Sequence, residues 1–184
     1  MYFFKTSPTP SGHTPEGGVL VGSDNARRRL LVFEDPRCPS CRQFEELSGD
    51  LLRREVAAGA VGVEYRIRCF FGPESVRAAN ALALAAEVGR FDQLRREMFG
   101  AQPSEGSAGY TADDLVALGR RAGLNDPEYA AGIRQGRYEQ WARKLDRTLQ
   151  DQDPQGTPAA FLDGQPLACV VLYDPQTLGE LVRG

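Results

Sequence analysis

Two cysteines three residues apart, in Cys38-Pro39-Ser40-Cys41, stand where an apolar run ends and an amphipathic one begins. Upstream lies Leu30-Leu31-Val32-Phe33, a near-continuous apolar stretch of the kind a strand buried on both faces shows. Downstream, between Arg42 and Ala58, Phe44, Leu47, Leu51 and Val56 recur at spacings of three to five, which predicts a helix with one face toward a core. At such a junction the first backbone N–H groups of the helix point at the first sulfur, and the helix dipole favours its thiolate. A thiolate attacks disulfides, so the pair can close a small ring and open it again. Competing readings of a C-x-x-C are half of a zinc site or a structural disulfide. Zinc needs two further ligands at a suitable spacing. Here Cys69 and Cys169 are solitary, and the only histidine, His13, lies in a Pro/Gly-rich segment. Redox chemistry is therefore the expectation.

The 184 residues suffice for one sizeable domain with its own core, without covalent staples. A net charge of −3 argues against a general nucleic-acid surface. The arginine pairs Arg28-Arg29, Arg53-Arg54, Arg95-Arg96 and Arg120-Arg121 are scattered and read as solvated helix or strand-end faces. Four cysteines are too few for a disulfide scaffold. No run approaches the ~18 apolar residues of a membrane span. Tyr2-Phe3-Phe4 followed by Lys5 is far shorter than the apolar region of a signal peptide. The chain as given thus reads as cytoplasmic, with the cell envelope or secretion as the alternative for a trimmed chain.

Residues 1–18, rich in proline and small polar residues from Thr6 onward, read as a flexible leader. Val19-Leu20-Val21 predicts a short strand, Arg29 to Glu34 a buried one, and the alternation of Val61, Val63, Tyr65 and Ile67 another. Strand, helix and strand in this order suit a parallel pair with a right-handed crossover. From about 74 to 152 the pattern is helical. Ala78 to Val88 is rich in alanine and leucine, Phe91, Leu94, Met98 and Phe99 follow at helical spacing, and Thr111 and Asp126-Pro127 are helix starts. Tyr138, Trp141, Leu145 and Leu149 form a stripe, with Trp141 expected as a core anchor. Beyond Asp153-Pro154, the segments Ala159–Leu162 and Leu167–Leu172 flank Asp163-Gly164 and predict a hairpin. Asp174-Pro175 then opens a last helix to Val182.

Three segments in register carry a family resemblance. Phe33-Glu34-Asp35-Pro36-Arg37-Cys38-Pro39-Ser40-Cys41 resembles the active-site strand and motif of DsbA-like thioredoxin-fold proteins. Arg77-Ala78-Ala79-Asn80-Ala81-Leu82 with Gly89-Arg90-Phe91 is similar to the first helices of that family's insertion. Gly156-Thr157-Pro158, followed by Ala159 to Gly164, is similar to its cis-proline loop and the strand after it. The resemblance implies an α/β thioredoxin-like fold over residues 19–184. A central mixed sheet is flanked by helices, and an all-helical insertion separates the second major strand from the C-terminal hairpin.

It also implies a thiol–disulfide oxidoreductase acting on protein thiols and disulfides with a redox partner protein, and with no metal or organic cofactor. The other reading is a DsbA-like module that binds clients with little turnover. Cys38 is the expected nucleophile, at an exposed edge, and Cys41 the resolving thiol beneath the first helical turn. Pro39 lies near the helix start, where its missing N–H is harmless. Thr157-Pro158 is expected cis, packed against the pair and aiming the Thr157 backbone at an extended client chain. Two departures matter. Ser40 stands where strongly oxidising relatives carry histidine, so the Cys38 pKa is expected in the upper part of a ~3.5–7.5 range. Val32 stands where many relatives place a buried acid. Glu34 and Asp35 are the nearest carboxylates and the candidates for a proton relay; strand-end carboxylates otherwise face solvent or cap amides. Cys69 and Cys169 are expected about 14 Å apart, two strands between them, as buried free thiols.

Overall fold

The computed structural model describes residues 8–150 and 156–184. The first seven residues of the expected leader, and the expected end of the insertion near residue 152 with Asp153-Pro154, lie outside the described residues. The elements run β1 (Val19–Val21), β2 (Arg28–Glu34), α1 (Pro39–Ala57), β3 (Val61–Ile67), α2 (Pro73–Glu87), α3 (Phe91–Gly100), α4 (Ala112–Arg121), α5 (Pro127–Gln135), α6 (Glu139–Gln150), β4 (Ala159–Leu162), β5 (Gln165–Pro166), α7 (Cys169–Leu172) and α8 (Pro175–Arg183). The sheet order is β1-β3-β2-β4-β5. β2 and β3 pair in parallel across the α1 crossover, and the remaining pairings are antiparallel. This is the mixed, helix-flanked thioredoxin-like sheet, with α2 to α6 inserted between β3 and β4.

Leu30 and Val32 of β2 and Val63 and Tyr65 of β3 are buried in one core with Phe44, Leu51 and Leu52 of α1, Leu82 of α2 and Leu178 of α8. The insertion is tied together by a polar anchor as well. Buried Asn80 donates to the Gly132 carbonyl and accepts from the Tyr138 N–H at 2.7 Å, linking α2 to α5 and the approach to α6. The helix starts act as their residue types dictate. Thr111 and Asp114 form a capping box, while Asp126 and Asp174 accept N–H groups of the turns they open.

α1 takes in the motif itself and begins at Pro39, the proline expected near the helix start, three residues before the amphipathic stretch from Arg42. The structure departs from expectation in three places. Leu47, expected on the core face, is half exposed. The segment 167–172 is not a strand. Asp163 and Gly164 do adopt the positive φ of a hairpin turn, but β5 is only Gln165–Pro166: one further ladder bond runs from the Leu167 N–H to the Ala160 carbonyl at 2.9 Å, and the chain then turns at Ala168 into α7. Trp141 is only partly buried at the core edge, where its ring meets His13 edge-on at 4.8 Å. Residues 8–18 thus contact the insertion. A Cβ on Gly12 would come within 2.5 Å of the Ala86 carbonyl, so only glycine lets the chain pass α2 this closely.

Leu82→Ala, which empties a site 1% exposed, is expected to lower unfolding free energy by about 2–5 kcal/mol in urea titration. Leu47→Ala, on the solvent side of α1, is expected to change it by ~0.5 kcal/mol or less.

Candidate active site

Cys38 occupies the N-cap position of α1, with extended backbone (φ −73°, ψ 120°). Its sulfur therefore stands where a capping oxygen would, facing the free N–H groups of the first turn. Pro39 fills the first helical position, so no donor is wasted there. Ser40 and Cys41 follow as the next two residues, and their backbone N–H groups favour the Cys38 thiolate. The two cysteines approach to 3.5 Å and both are free thiols. Cys38 Sγ lies 3.3 Å from the Thr157 carbonyl oxygen, and the Thr157-Pro158 bond is cis. The structure thus brings together Cys38, Pro39, Ser40, Cys41, Thr157 and Pro158, although 119 residues separate Cys38 from Thr157.

The two thiols are electrostatically unequal. A hydrogen bond from the Cys41 side chain, outweighing partial burial and aided by Thr157 and the two amides, lowers Cys38 to about 5. That is below the expectation drawn from Ser40, because the thiol and helix-start donors supply what an imidazolium would otherwise add. Burial pushes the Cys41 thiol well above its ordinary value, and the Cys38 hydrogen bond adds to this. Cys38 is not on an open edge as expected. It is 7% exposed against 0% for Cys41, with Phe99 of α3 packed on both.

Neither strand-end carboxylate faces solvent. Glu34 is fully buried and receives two hydrogen bonds of 2.7 Å from Arg95, whose third nitrogen reaches Glu45 of α1. Burial pushes Glu34 up, and the guanidinium opposes that. At Glu45 burial is outweighed by Arg95 and Arg53, which together hold its carboxyl below the usual range. Asp35 caps instead. It accepts from the Arg37 N–H, the Phe70 N–H and the Ser75 hydroxyl at 2.7–2.8 Å. Burial still pushes it up to about 6. Val32 is buried apolar core, so no acid occupies that position.

The insertion frames the turn before Cys38. Gln102 donates to the Pro36 and Cys38 carbonyls, and the Tyr110 hydroxyl to Met98 and Pro36. Arg37 is buried, pairs with Glu74 and donates to the Pro103 carbonyl. Sequence reasoning missed these residues, and Arg95 contradicts its reading as a solvated face. Its signal was positional: it lies four residues from both Phe91 and Phe99, on the apolar stripe of α3. Cys69, expected buried, follows β3 partly exposed, and burial of its sulfur pushes its pKa up. Cys169, expected buried in a strand, is exposed at the start of α7. Its sulfur lies 3.7 Å from the Pro158 carbonyl and 3.8 Å from the Tyr173 hydroxyl.

Fold and motif together define a thioredoxin-type protein whose sheet carries an all-helical insertion. The family model described as Thioredoxin matches residues 14–180, and the chain belongs to that family. Among solved structures, the fold is similar to MdbA, a thiol-disulfide oxidoreductase from Actinomyces oris (TM-score 0.81, 20% identity, 97% of this chain and 90% of that one). It is also similar to BdbD from Bacillus subtilis (TM-score 0.79, 19% identity, 96% and 97%) and to DsbA from Mycobacterium tuberculosis (TM-score 0.72, 23% identity, 89% and 93%). Among curated proteins, the chain is 26% identical to the serine/threonine-protein kinase PknE of Mycobacterium tuberculosis over 90% of its own length. It spans 31% of that relative's length, so the kinase is a far longer protein. No helix among the described residues is long and apolar enough to cross a membrane.

Cys38 alkylation by iodoacetamide in the reduced protein is expected to rise with pH around a midpoint near 5, while Cys41 labels only at far higher pH. Cys38 has a folded pKa below its unfolded one. Its contribution to the stability of the reduced protein is therefore present above about 9 and lost as pH falls through about 5. Asp35 acts in the opposite sense between 3.8 and about 6, favouring the fold at the acid end. Equal labelling rates for the two thiols would contradict the asymmetry.

Proposed function

We propose that this protein is a thiol–disulfide oxidoreductase working on protein substrates through Cys38 and Cys41. One observation carries the reading: a cysteine at a helix N-cap, its sulfur held between a buried second thiol and the Thr157 carbonyl. Cys38 is the nucleophile and Cys41 the resolving thiol. In the reducing direction the Cys38 thiolate attacks a client disulfide and one client sulfur leaves as a thiolate. Cys41 then loses its proton and attacks Cys38 Sγ, closing the ring and releasing the second client sulfur. Oxidation of a client dithiol is the same path reversed. Pro39 and Ser40 shape the helix start, and Thr157 and Pro158 offer an extended client its strand-like partner. Of the two relay candidates, Asp35 is the better proton acceptor, because its hydrogen-bond donors among the described residues are neutral and its pKa of about 6 lies near neutrality.

Thiolate stability supports one direction of electron flow. A Cys38 thiolate favoured at pH 7 stabilises the reduced form, which makes the disulfide a better electron acceptor. That supports client oxidation, in an oxidising compartment, over the cytoplasmic reading drawn from the chain's first residues. A second reading, a client-binding module with little turnover, is favoured by the near-complete cover over Cys38 and by Phe70. That ring is half exposed, and its N–H bonds Asp35, three residues before Cys38.

Insulin reduction with dithiothreitol separates the two. The oxidoreductase is expected to accelerate it, Cys38→Ser to abolish the effect, and Cys41→Ser to accumulate client mixed disulfides. Ser40→His is expected to lower the Cys38 pKa further and raise the potential by roughly 30 mV per pKa unit, read against glutathione. An inert wild-type protein that still retains client chains would favour the binding module.

A further inference from the structure

Arg95 is buried in the insertion, yet each of its three guanidinium nitrogens donates to a carboxylate. The placement of those carboxylates is informative. Glu34 lies four residues before Cys38 and Glu45 four residues after Cys41, so one guanidinium brackets the motif from both sides. The same group lies 4.3 Å from the Tyr65 ring centroid and 5.0 Å from that of Phe99, and Phe99 packs on both cysteines. Glu34 is also held through its backbone, its carbonyl accepting from the Arg68 N–H at 2.8 Å. The next N–H in the chain, that of Asp35, bonds the Cys41 sulfur. A buried ion cluster is a weak source of stability, and apolar groups of like volume often replace it without loss. What it does supply is geometry: a planar fork reaches two carboxylates in fixed directions, which a lysine ammonium cannot do.

We propose that Arg95 is a positioning residue for the resolving step: by bridging Glu34 and Glu45 it locks the end of β2 against α1, so that the Asp35 N–H and the Cys41 sulfur stay aligned while Cys41 attacks Cys38. The proposal rests on the oxidoreductase reading above and adds a residue from the insertion to it. Attack by Cys38 on a disulfide needs only the N-cap geometry, which the helix itself provides. Attack by Cys41 needs a buried thiol to give up its proton and meet Cys38 Sγ in line, with the Asp35 N–H favouring the thiolate that forms. Loss of the bridge frees the Glu34 side chain and slackens that aim, so only the second step suffers.

Glutathione disulfide resolves the two steps. Cys38 of the reduced protein attacks it, forming Cys38–glutathione and releasing one glutathione thiolate. Cys41 then attacks Cys38 Sγ, releasing the second glutathione and leaving the Cys38–Cys41 disulfide. Two electrons pass from the dithiol to glutathione disulfide, and the Cys41 proton goes to solvent. Acid-quenched samples analysed by intact mass give both rates. Arg95→Lys keeps the charge without the fork. Glu34→Gln combined with Arg95→Met removes cation and partner together and leaves Glu45 its bond to Arg53, so folding is retained in at least one variant. In either folded variant the first rate is expected to stay within twofold of wild type. The lifetime of the glutathionylated intermediate is expected to rise roughly ten- to a hundredfold, the cost of a misplacement of about 1 Å. An unchanged lifetime, or both steps slowing in proportion as a purely structural role would produce, overturns the proposal. Formation of the intermediate that survives in Cys38→Ser would instead overturn the oxidoreductase reading beneath it.

Discussion

A sulfur in the N-cap position of α1 is the constraint from which the site follows. An N-cap side chain faces two or three backbone N–H groups that have no partner within the helix, and an ordinary cap satisfies them with oxygen. Placing Cys38 there turns the same unmet donors toward a thiol and favours its anion. The second cysteine, one turn on, is carried under the helix into the core and loses the solvation its own anion would need. A three-residue spacing on a helix start is thus enough to separate two chemically identical side chains into a ready thiolate and a reluctant thiol. The sheet supplies the rest, because β4 pairs with β2 and brings the Thr157-Pro158 loop beside the strand that ends at the motif.

The insertion does more than enlarge the domain. Gln102, Tyr110 and the partners of Arg37 hold the carbonyls and side chains of the turn between β2 and Cys38. Arg95 reaches past Phe99 to the two acids that flank the motif. Each of these contacts crosses from the insertion to the sheet and its helix α1, so the two-cysteine site is shared between the two. A loose attachment of α3 would act on the thiols directly.

Much of the fold was readable because its signals are local. Apolar runs, the C-x-x-C junction, the Thr111 and Asp126 starts and the Asp163-Gly164 turn each lie within a few residues, and each formed the element its residue types favour. The stretch after the turn failed because a short apolar run fits a helix as well as a strand: after one last ladder bond from Leu167, the chain turns at Ala168 into α7. Arg95 could not be read in this way. A buried arginine is tolerated only where acids await it, and here they come from positions 61 and 50 residues earlier. Composition at position 95 carries no trace of them. The burial of Glu34 and Glu45 was hidden for the same reason, as neither reads as core until Arg95 is placed.

Glu34 and Asp35 show how adjacent acids acquire different chemistry. Alternation along a strand turns them to opposite sides, one toward α3 and the other toward the start of α2. Glu34 meets a guanidinium and is balanced, so its charge is spent on geometry. Among the described residues Asp35 accepts from a hydroxyl and two amides, and these do not offset its burial. It is left as a carboxyl able to exchange its proton near neutrality, three residues from the thiolate, and the Cys38 charge itself pushes its pKa upward. Forming the Cys38–Cys41 disulfide removes that charge, so the two groups are linked: reduction draws a proton toward Asp35 and oxidation loosens it. In the proposed reading Asp35, three positions after Val32, takes the relay role, and among the described residues it is hydrogen bonds that hold it.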